Sequence, residues 1–153
     1  MPEIAKPENA KTVKPIPEGY HSVTPYMIVS DAQRFIDFFD SVFGAKVIFQ
    51  LTKPDGTIGH TELRLGDSVI MVSEAAPSFP PNNTMLHIYV EDVDTVYGRA
   101  IDAGATPISP VADQFYGDRS GGVTEPCGNM IWIATHVEDV SHEETLKRAA
   151  ARG

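Results

Sequence analysis

The sequence predicts an α+β fold made of two βαβββ modules, with curled mixed sheets around a central cavity and helices outside. Strand-like runs and amphipathic helix patterns succeed one another in the same order twice along the chain. The segment VSDAQRFIDFFDSVFGAKVI at Val29 aligns with VEDVDTVYGRAIDAGATPI at Val90, an offset of 61 residues. The same offset returns where SVIMV around Met71 matches NMIWI around Trp132. Two repeats of one unit therefore account for the chain.

The first module is predicted to span residues 19–76. It follows a flexible arm, residues 1–18, which mixes Pro, Lys and Glu with isolated apolar residues. The β-rich run SVTPYMIVSD ends at Asp31, a helix N-cap residue, and Gly44 suits a left-handed C-cap. Three strands follow, AKVIFQLTK, IGHTELRLG and SVIMVSE, separated by turn residues. The helix between cap and C-cap has an apolar face made of Phe35, Phe38, Phe39, Val42 and Phe43.

The second module is predicted to span residues 85–140, after a linker at 77–84 that is rich in Pro and Asn. It contains the strand MLHIYVED, a helix that begins after Asp92 and ends at Gly104, and the hairpin GDRSGGVTEPCGNMIWIATH. Ser141 and Glu144 form a capping box for a C-terminal helix over 141–153. Because one helix covers only one face of each sheet, the other face must line a cavity or contact a partner.

Composition limits the classes of partner. The chain has 153 residues and a net charge of −9, which disfavours nucleic acid and anionic membranes and leaves small molecules or proteins. Its single cysteine, Cys127, excludes an internal disulfide and suits a reducing compartment. No apolar run approaches the roughly 18 residues of a membrane span, and no apolar signal core is present at the N-terminus. These features predict a cytoplasmic protein.

Several motifs together resemble the vicinal oxygen chelate superfamily, which includes glyoxalase I, bleomycin-resistance proteins and extradiol dioxygenases. The motifs are V-x-D before each helix, GA after it and a closing E-P-x-G-N hairpin, and the resemblance covers about residues 20–140. TPYMIVSDAQRFIDFFDSVFGA, YGDR and IWIATHVEDVS are similar to its PhnB-like branch. The resemblance implies a homodimer, since many relatives pair their modules across chains. It does not imply one reaction, because this fold hosts many chemistries.

The resemblance also indicates where a metal would lie. In metal-dependent members the ligands, typically His or Gln and Glu, come from the first and last strands of each unit. The matching positions here are Thr24, Met71, Met85 and Trp132. None is a usual ligand for a divalent cation, so we predict no cofactor at these four positions.

Strand alternation predicts which side chains line the cavity. Tyr26 shares a face with Thr24, and His87 and Tyr89 share a face with Met85. In HTELRL, Leu63 and Leu65 should pack towards the helix, which turns His60, Glu62 and Arg64 to the other face. The resemblance places Tyr116, Arg119 and Trp132 nearby. The predicted ligand-binding residues are Tyr26, His60, Glu62, His87, Tyr89, Tyr116, Arg119 and Trp132.

Alternatives remain for several of these residues. His60, Glu62 and His87 could form a displaced metal site, although residues i and i+2 on a strand lie about 6.5–7 Å apart. His87 or Glu62 could instead act as a general acid or base without metal. Arg119 could form a hairpin salt bridge with Asp118 or Glu125, and Trp132 could simply fill the core.

Three classes of function follow from these patterns. The first is metal-independent binding of a small molecule in a concave cavity lined by aromatic and His side chains. The second is a metal-dependent lyase, isomerase or dioxygenase with non-standard ligands. The third is a structural or regulatory dimer whose cavity is filled.

Overall fold

The computed structural model describes residues 12–153, so the first eleven residues of the predicted arm lie outside the described part. The elements follow the predicted order. Within residues 12–153 no helix is long and apolar enough to cross a membrane. The bounds are β1 Tyr26–Val29, α1 Ala32–Phe43, β2 Lys46–Thr52, β3 Ile58–Leu65, β4 Ser68–Glu74, β5 Met85–Tyr89, α2 Val93–Asp102, β6 Thr106–Asp113, β7 Asp118–Thr124, β8 Met130–His136 and α3 His142–Ala151.

The strands form two four-stranded mixed sheets, in the orders β1-β4-β3-β2 and β5-β8-β7-β6. In each sheet the first strand pairs in parallel with the last, and the other pairs are antiparallel. Tyr26 is opposite Met71, and His87 is opposite Trp132. The register thus repeats with the same 61-residue offset as the sequence, which confirms the two-module α+β fold.

Both module helices begin in the same way. The Asp31 side chain accepts a hydrogen bond from the Arg34 backbone N–H, and Asp92 caps α2 equivalently. A second oxygen reaches the first helical N–H from the end of the parallel strand pair. Glu74 Oε2 accepts from Ala32 at 2.8 Å, and Thr135 Oγ1 accepts from Val93 at 2.9 Å. Each helix N-terminus is therefore fixed to the last strand of its own module.

Packing is concentrated between the helices and one face of each sheet. Phe35 and Phe39 of α1 are fully buried and stack with ring centroids 4.4 Å apart. Leu63 and Ile131 lie in the same core, which extends through both modules. The two helices also contact each other, so α1 and α2 join the modules.

The first strand is shorter than the run SVTPYMIVSD suggests, because β1 begins only at Tyr26. Pro25 precedes it and has no N–H for a ladder hydrogen bond. Its carbonyl still accepts from the backbone N–H of Met71 at 2.9 Å. Thr24 therefore lies just before the strand instead of within it.

The E-P-x-G-N hairpin is fixed by a buried carboxylate. Glu125 is 1% exposed and accepts hydrogen bonds from the backbone N–H groups of Cys127 and Asn129 and from the Asn129 side-chain amide, each at 2.8 Å. Asn129 Oδ1 in turn accepts from the N–H of Thr84, next to β5. The motif therefore sets the relative positions of β7, β8 and β5.

Candidate functional site

The two sheets each leave one face without a helix. We name the face of β1–β4 opposite α1 open face 1, and the face of β5–β8 opposite α2 open face 2. The expected alternation is observed, since Leu63 and Val72 are fully buried towards α1, whereas His60 and Glu62 are only partly buried on open face 1. Side chains that a ligand could reach therefore lie on these two faces.

Open face 1 carries a connected row of polar side chains. The Tyr26 hydroxyl lies 3.0 Å from His60 Nδ1, and His60 Nε2 lies 3.1 Å from Glu62 Oε2. A carboxylate only accepts hydrogen bonds, so Nε2 carries the hydrogen and, in the neutral tautomer, Nδ1 accepts from the tyrosine. The Tyr26 and His60 rings also stack with centroids 5.5 Å apart.

The N-terminal segment adds a residue to this row. The Tyr20 hydroxyl donates a hydrogen bond to Glu62 Oε1. This bond to the carboxylate is the main cause, and burial the second, of a pKa of Tyr20 above its usual value, which keeps the phenol protonated. The neighbouring Gly19 adopts φ of 83°, and a Cβ there would come within 2.9 Å of the Arg64 guanidinium. Residues 19 and 20 thus rest directly on open face 1.

Open face 2 carries an aromatic surface. Trp132 is half-buried and lies flat on the backbone of Gly122, where an added Cβ would meet the indole at 2.3–2.7 Å. The rings of His87 and Tyr89 lie beside each other with centroids 5.1 Å apart, and Tyr89 is 59% exposed. Trp132 therefore lies on open face 2, directly over Gly122, and is partly buried there.

A buried carboxylate lies at one end of open face 2. Asp118 is 4% exposed and accepts hydrogen bonds from the Tyr89 hydroxyl at 2.7 Å and from His136 Nδ1 at 2.9 Å. His136 Nε2 lies 2.7 Å from Asp139. The bond to Asp118, and to a smaller extent that to Asp139, raises the pKa of His136. The hydrogen bond from Tyr89 to Asp118 likewise raises the pKa of Tyr89.

A cleft of about 320 Å³ runs between the modules. One wall is the start of the first sheet, with Pro25 and the β3–β4 turn, and the other wall is β5 with His87 and Tyr89. A second cleft, of about 340 Å³, adjoins Tyr26 and the loop that carries Phe79. Of the predicted ligand-binding residues, the first cleft contains His87 and Tyr89, and the second contains Tyr26.

The structure places six of the eight predicted site residues on the two open faces. Three lie on each: Tyr26, His60 and Glu62, and His87, Tyr89 and Trp132. Tyr116 is in the loop between β6 and β7 and is 38% exposed.

Arg119 does not join this group. Adjacent residues on a strand point to opposite faces, and Asp118 lies on open face 2, so Arg119 points to the helix side. There its guanidinium binds Asp94 of α2 at 2.8 and 2.9 Å and Asp113 at 3.2 Å. The salt bridge considered for Arg119 exists, but with these two residues instead of Asp118 or Glu125.

The alternative metal trio does not assemble in one chain. His60 and Glu62 contact each other on open face 1, whereas His87 pairs with Trp132 on the other sheet. In the described stretch, residues 12–153, no group of three or more His, Cys, Asp or Glu side chains could hold a metal ion. Cys127 lies in the hairpin turn between β7 and β8. Burial is the main cause, and the charge of Glu125 the second, of the rise of its pKa to about 11.

Two features of these faces were not predicted. Tyr20 lies in a segment without periodicity, so its position on Glu62 has no local sequence signal. The Asp118–His136 pair depends on the β7–β8 register, in which these residues are directly opposite. Only the YGDR and IWIATH segments pointed to the strands involved.

Comparisons with known proteins agree with this architecture. A sequence model of the Glyoxalase/Bleomycin resistance protein/Dioxygenase superfamily matches residues 19–133. The chain is 29% identical over 143 residues to the uncharacterized protein Rv0887c of Mycobacterium tuberculosis, covering 86% of this chain and 84% of that protein.

Solved structures share the fold at lower identity. TioX from Micromonospora sp. ML1 is 24% identical with a TM-score of 0.64, and the match covers 74% of this chain and 97% of TioX. The PhnB protein from Bacillus cereus, described as a putative 3-demethylubiquinone-9 3-methyltransferase, is 14% identical with a TM-score of 0.60. That match covers 75% of this chain and 99% of the Bacillus protein.

Proposed function

The chain belongs to the Glyoxalase/Bleomycin resistance protein/Dioxygenase superfamily, and we propose that within it the protein binds a small molecule without a metal ion. The observation that carries this proposal is the open, aromatic surface of open face 2. Trp132 lies flat over Gly122 beside the exposed Tyr89 and His87. Aromatic walls with a few fixed polar groups are the usual chemistry of small-molecule sites.

The side chains at the four positions that match the metal ligands of the family support the absence of metal chemistry there. The repeated register aligns Met71 with Trp132, so one thioether and one indole occupy equivalent positions on β4 and β8. Thr24 and Met85 complete the set with a hydroxyl and a second thioether. Divalent cations in proteins are held by imidazole, carboxylate or thiolate groups, and these four residues do not fit that requirement.

We also propose that two copies of the chain associate through the outer strand β2, at the edge of open face 1. The outer strand β2 is exposed at every residue, and Phe49 and Leu51 are 47% and 55% exposed on open face 1. Such apolar side chains on an uncovered sheet favour association. Sedimentation of the wild type as a dimer, and of Leu51→Arg as a monomer, supports this part; a monomeric wild type contradicts it.

We further propose that the chain belongs to the PhnB-like branch of the superfamily and that the protein is cytoplasmic. The YGDR and IWIATHVEDVS motifs support the PhnB-like branch, and the single cysteine, Cys127, supports a cytoplasmic location.

The binding proposal is tested by thermal shift against a panel of metabolites and antibiotics in the presence of chelator. A ligand at 100 times its Kd adds roughly 2.7 kcal/mol to the stability of the folded state. His87→Ala and Trp132→Ala should abolish the shift, whereas Arg119→Ala, on the helix side, should retain it. A shift that both variants of open face 2 preserve contradicts this site, and a shift that requires added metal contradicts the metal-independent mode.

A further inference from the structure

We propose that Glu62 and His60 on open face 1 form a binding site for a phenolic hydroxyl group, and that Tyr20 of the same chain fills this site as an internal ligand. An external ligand would displace Tyr20 and take over its hydrogen bond. This inference goes beyond the proposed function, because it concerns open face 1, whereas the proposed site with His87 and Trp132 lies on open face 2. It concerns residues 12–24, which precede β1.

The contacts of Glu62 define what the site accepts. One carboxylate oxygen faces His60 Nε2 at 3.1 Å, and the other accepts the hydrogen bond from the Tyr20 hydroxyl. With Tyr20 in place, the Glu62 side chain is only 13% exposed and that of His60 22%. Removal of Tyr20 takes away one hydrogen-bond donor of this carboxylate, and a ligand hydroxyl can replace it.

The surroundings favour a flat ring over an aliphatic alcohol. The His60 ring stacks on Tyr26, and Phe49 lies 6.1 Å from His60 between centroids. Arg64 is close enough to Tyr20 to oppose the rise in the pKa of the phenol, although the bond to Glu62 prevails. The site thus holds a protonated hydroxyl on an aromatic ring, whereas the negative charge of Glu62 would repel a carboxylate at the same position.

The segment that carries Tyr20 is weakly attached. Residues 12–19 are all exposed, and Val13 and Val23 on either side of Tyr20 are 82% and 83% exposed. Its other hydrogen bonds are local, such as that from the Tyr20 N–H to the Pro17 carbonyl at 3.1 Å. Little buried surface is lost if the segment leaves open face 1, so a ligand can displace it at low cost.

The test uses p-cresol, which is the Tyr20 side chain detached from the backbone. The full-length Tyr20→Gly variant and the wild type are titrated while the NMR signals of the His60 ring are followed. We expect p-cresol to bind Tyr20→Gly at least about tenfold more tightly than the wild type, because the internal competitor is absent. Val23→Gly is the matched control: it loosens the same exposed segment without vacating the site, and its affinity should equal that of the wild type.

Chemical controls separate the hydroxyl from the ring. Toluene and 4-methylbenzoate should bind Tyr20→Gly at least about tenfold more weakly than p-cresol, since one lacks the donor and the other is repelled by Glu62. Adding Glu62→Ala to Tyr20→Gly should remove the gain. Tyr20→Phe, which keeps the ring but loses the hydroxyl, provides a second variant if Tyr20→Gly is poorly folded, and it should also bind p-cresol more tightly than the wild type.

The inference is overturned if p-cresol has equal affinity for the wild type and both Tyr20 variants, or if toluene binds as well as p-cresol. This outcome is distinguishable from failure of the proposed function. A panel ligand that depends on Trp132 would then still support binding on open face 2. Conversely, p-cresol binding that depends on Glu62 would support this inference even if no panel ligand responded to Trp132.

Discussion

Substitution of Gly122 by Ala tests the position of Trp132 on open face 2. The added Cβ would lie 2.3, 2.6 and 2.7 Å from three indole carbons, and ordinary contacts begin at 3.4 Å, so the ring must move by roughly 1 Å. Overpacking of this kind costs about 1–3 kcal/mol, and replacing a strand glycine by alanine returns about 0.5–1 kcal/mol. The net expectation is a loss of about 0–2.5 kcal/mol in the free energy of unfolding.

Urea denaturation followed by tryptophan fluorescence measures this effect, since Trp132 is the single tryptophan of the chain. We expect a lower midpoint and a shifted emission spectrum of native Gly122→Ala. In a Trp132→Leu background, where unfolding is followed by far-UV circular dichroism because no tryptophan remains, the loss should shrink or vanish, because the planar ring is absent. Gly98→Ala is the matched control, as a Cβ there meets no atom within 4 Å and should stabilise α2. An unchanged spectrum with undiminished stability would refute the placement of the indole.

Three further predictions concern other parts of the molecule. The Thr61 hydroxyl is buried without a hydrogen-bond partner among the described residues, so Thr61→Val should raise the free energy of unfolding by about 1–3 kcal/mol in urea titrations; a loss would reveal a partner. The raised pKa of His136, held by Asp118 and Asp139, contributes stability that is complete below the ordinary value of 6.5 and lost as pH rises through the higher folded-state value. His136→Asn should remove this dependence of urea midpoints on pH, and an unchanged profile would contradict it. With a pKa of about 11 against an ordinary 9.0, Cys127 should react with iodoacetamide about 100-fold more slowly than a free thiol at neutral pH, and a rate equal to that of the free thiol would contradict its burial.

The fold could be predicted because its signals are local and occur twice. Asp31 and Asp92 mark the helix starts, and the 61-residue offset between Met71 and Trp132 fixes the strand pairing of both modules at once. Alternation of side chains within β3 then determined which face His60 shares with Glu62. None of these inferences needed the tertiary structure.

The composition of the candidate site was harder to predict, because it depends on contacts between distant segments. The register of β7 against α2 directs Arg119 to Asp94, and no pattern in the hairpin sequence reveals that partner. Tyr20 reaches Glu62 across 42 positions of sequence, from a segment without periodicity. The residues predicted to form one site are therefore divided between open face 1 and open face 2.

We proposed that open face 2 binds a small molecule through its aromatic surface without a metal ion. The most direct measurement is a fluorescence titration of Trp132 with the strongest ligand from the thermal shift panel, in chelator-treated protein. We expect a saturable change in Trp132 emission that is the same before and after chelation and is lost in His87→Ala. Binding that leaves the emission of Trp132 unchanged, or that appears only when a divalent metal is restored, would contradict it.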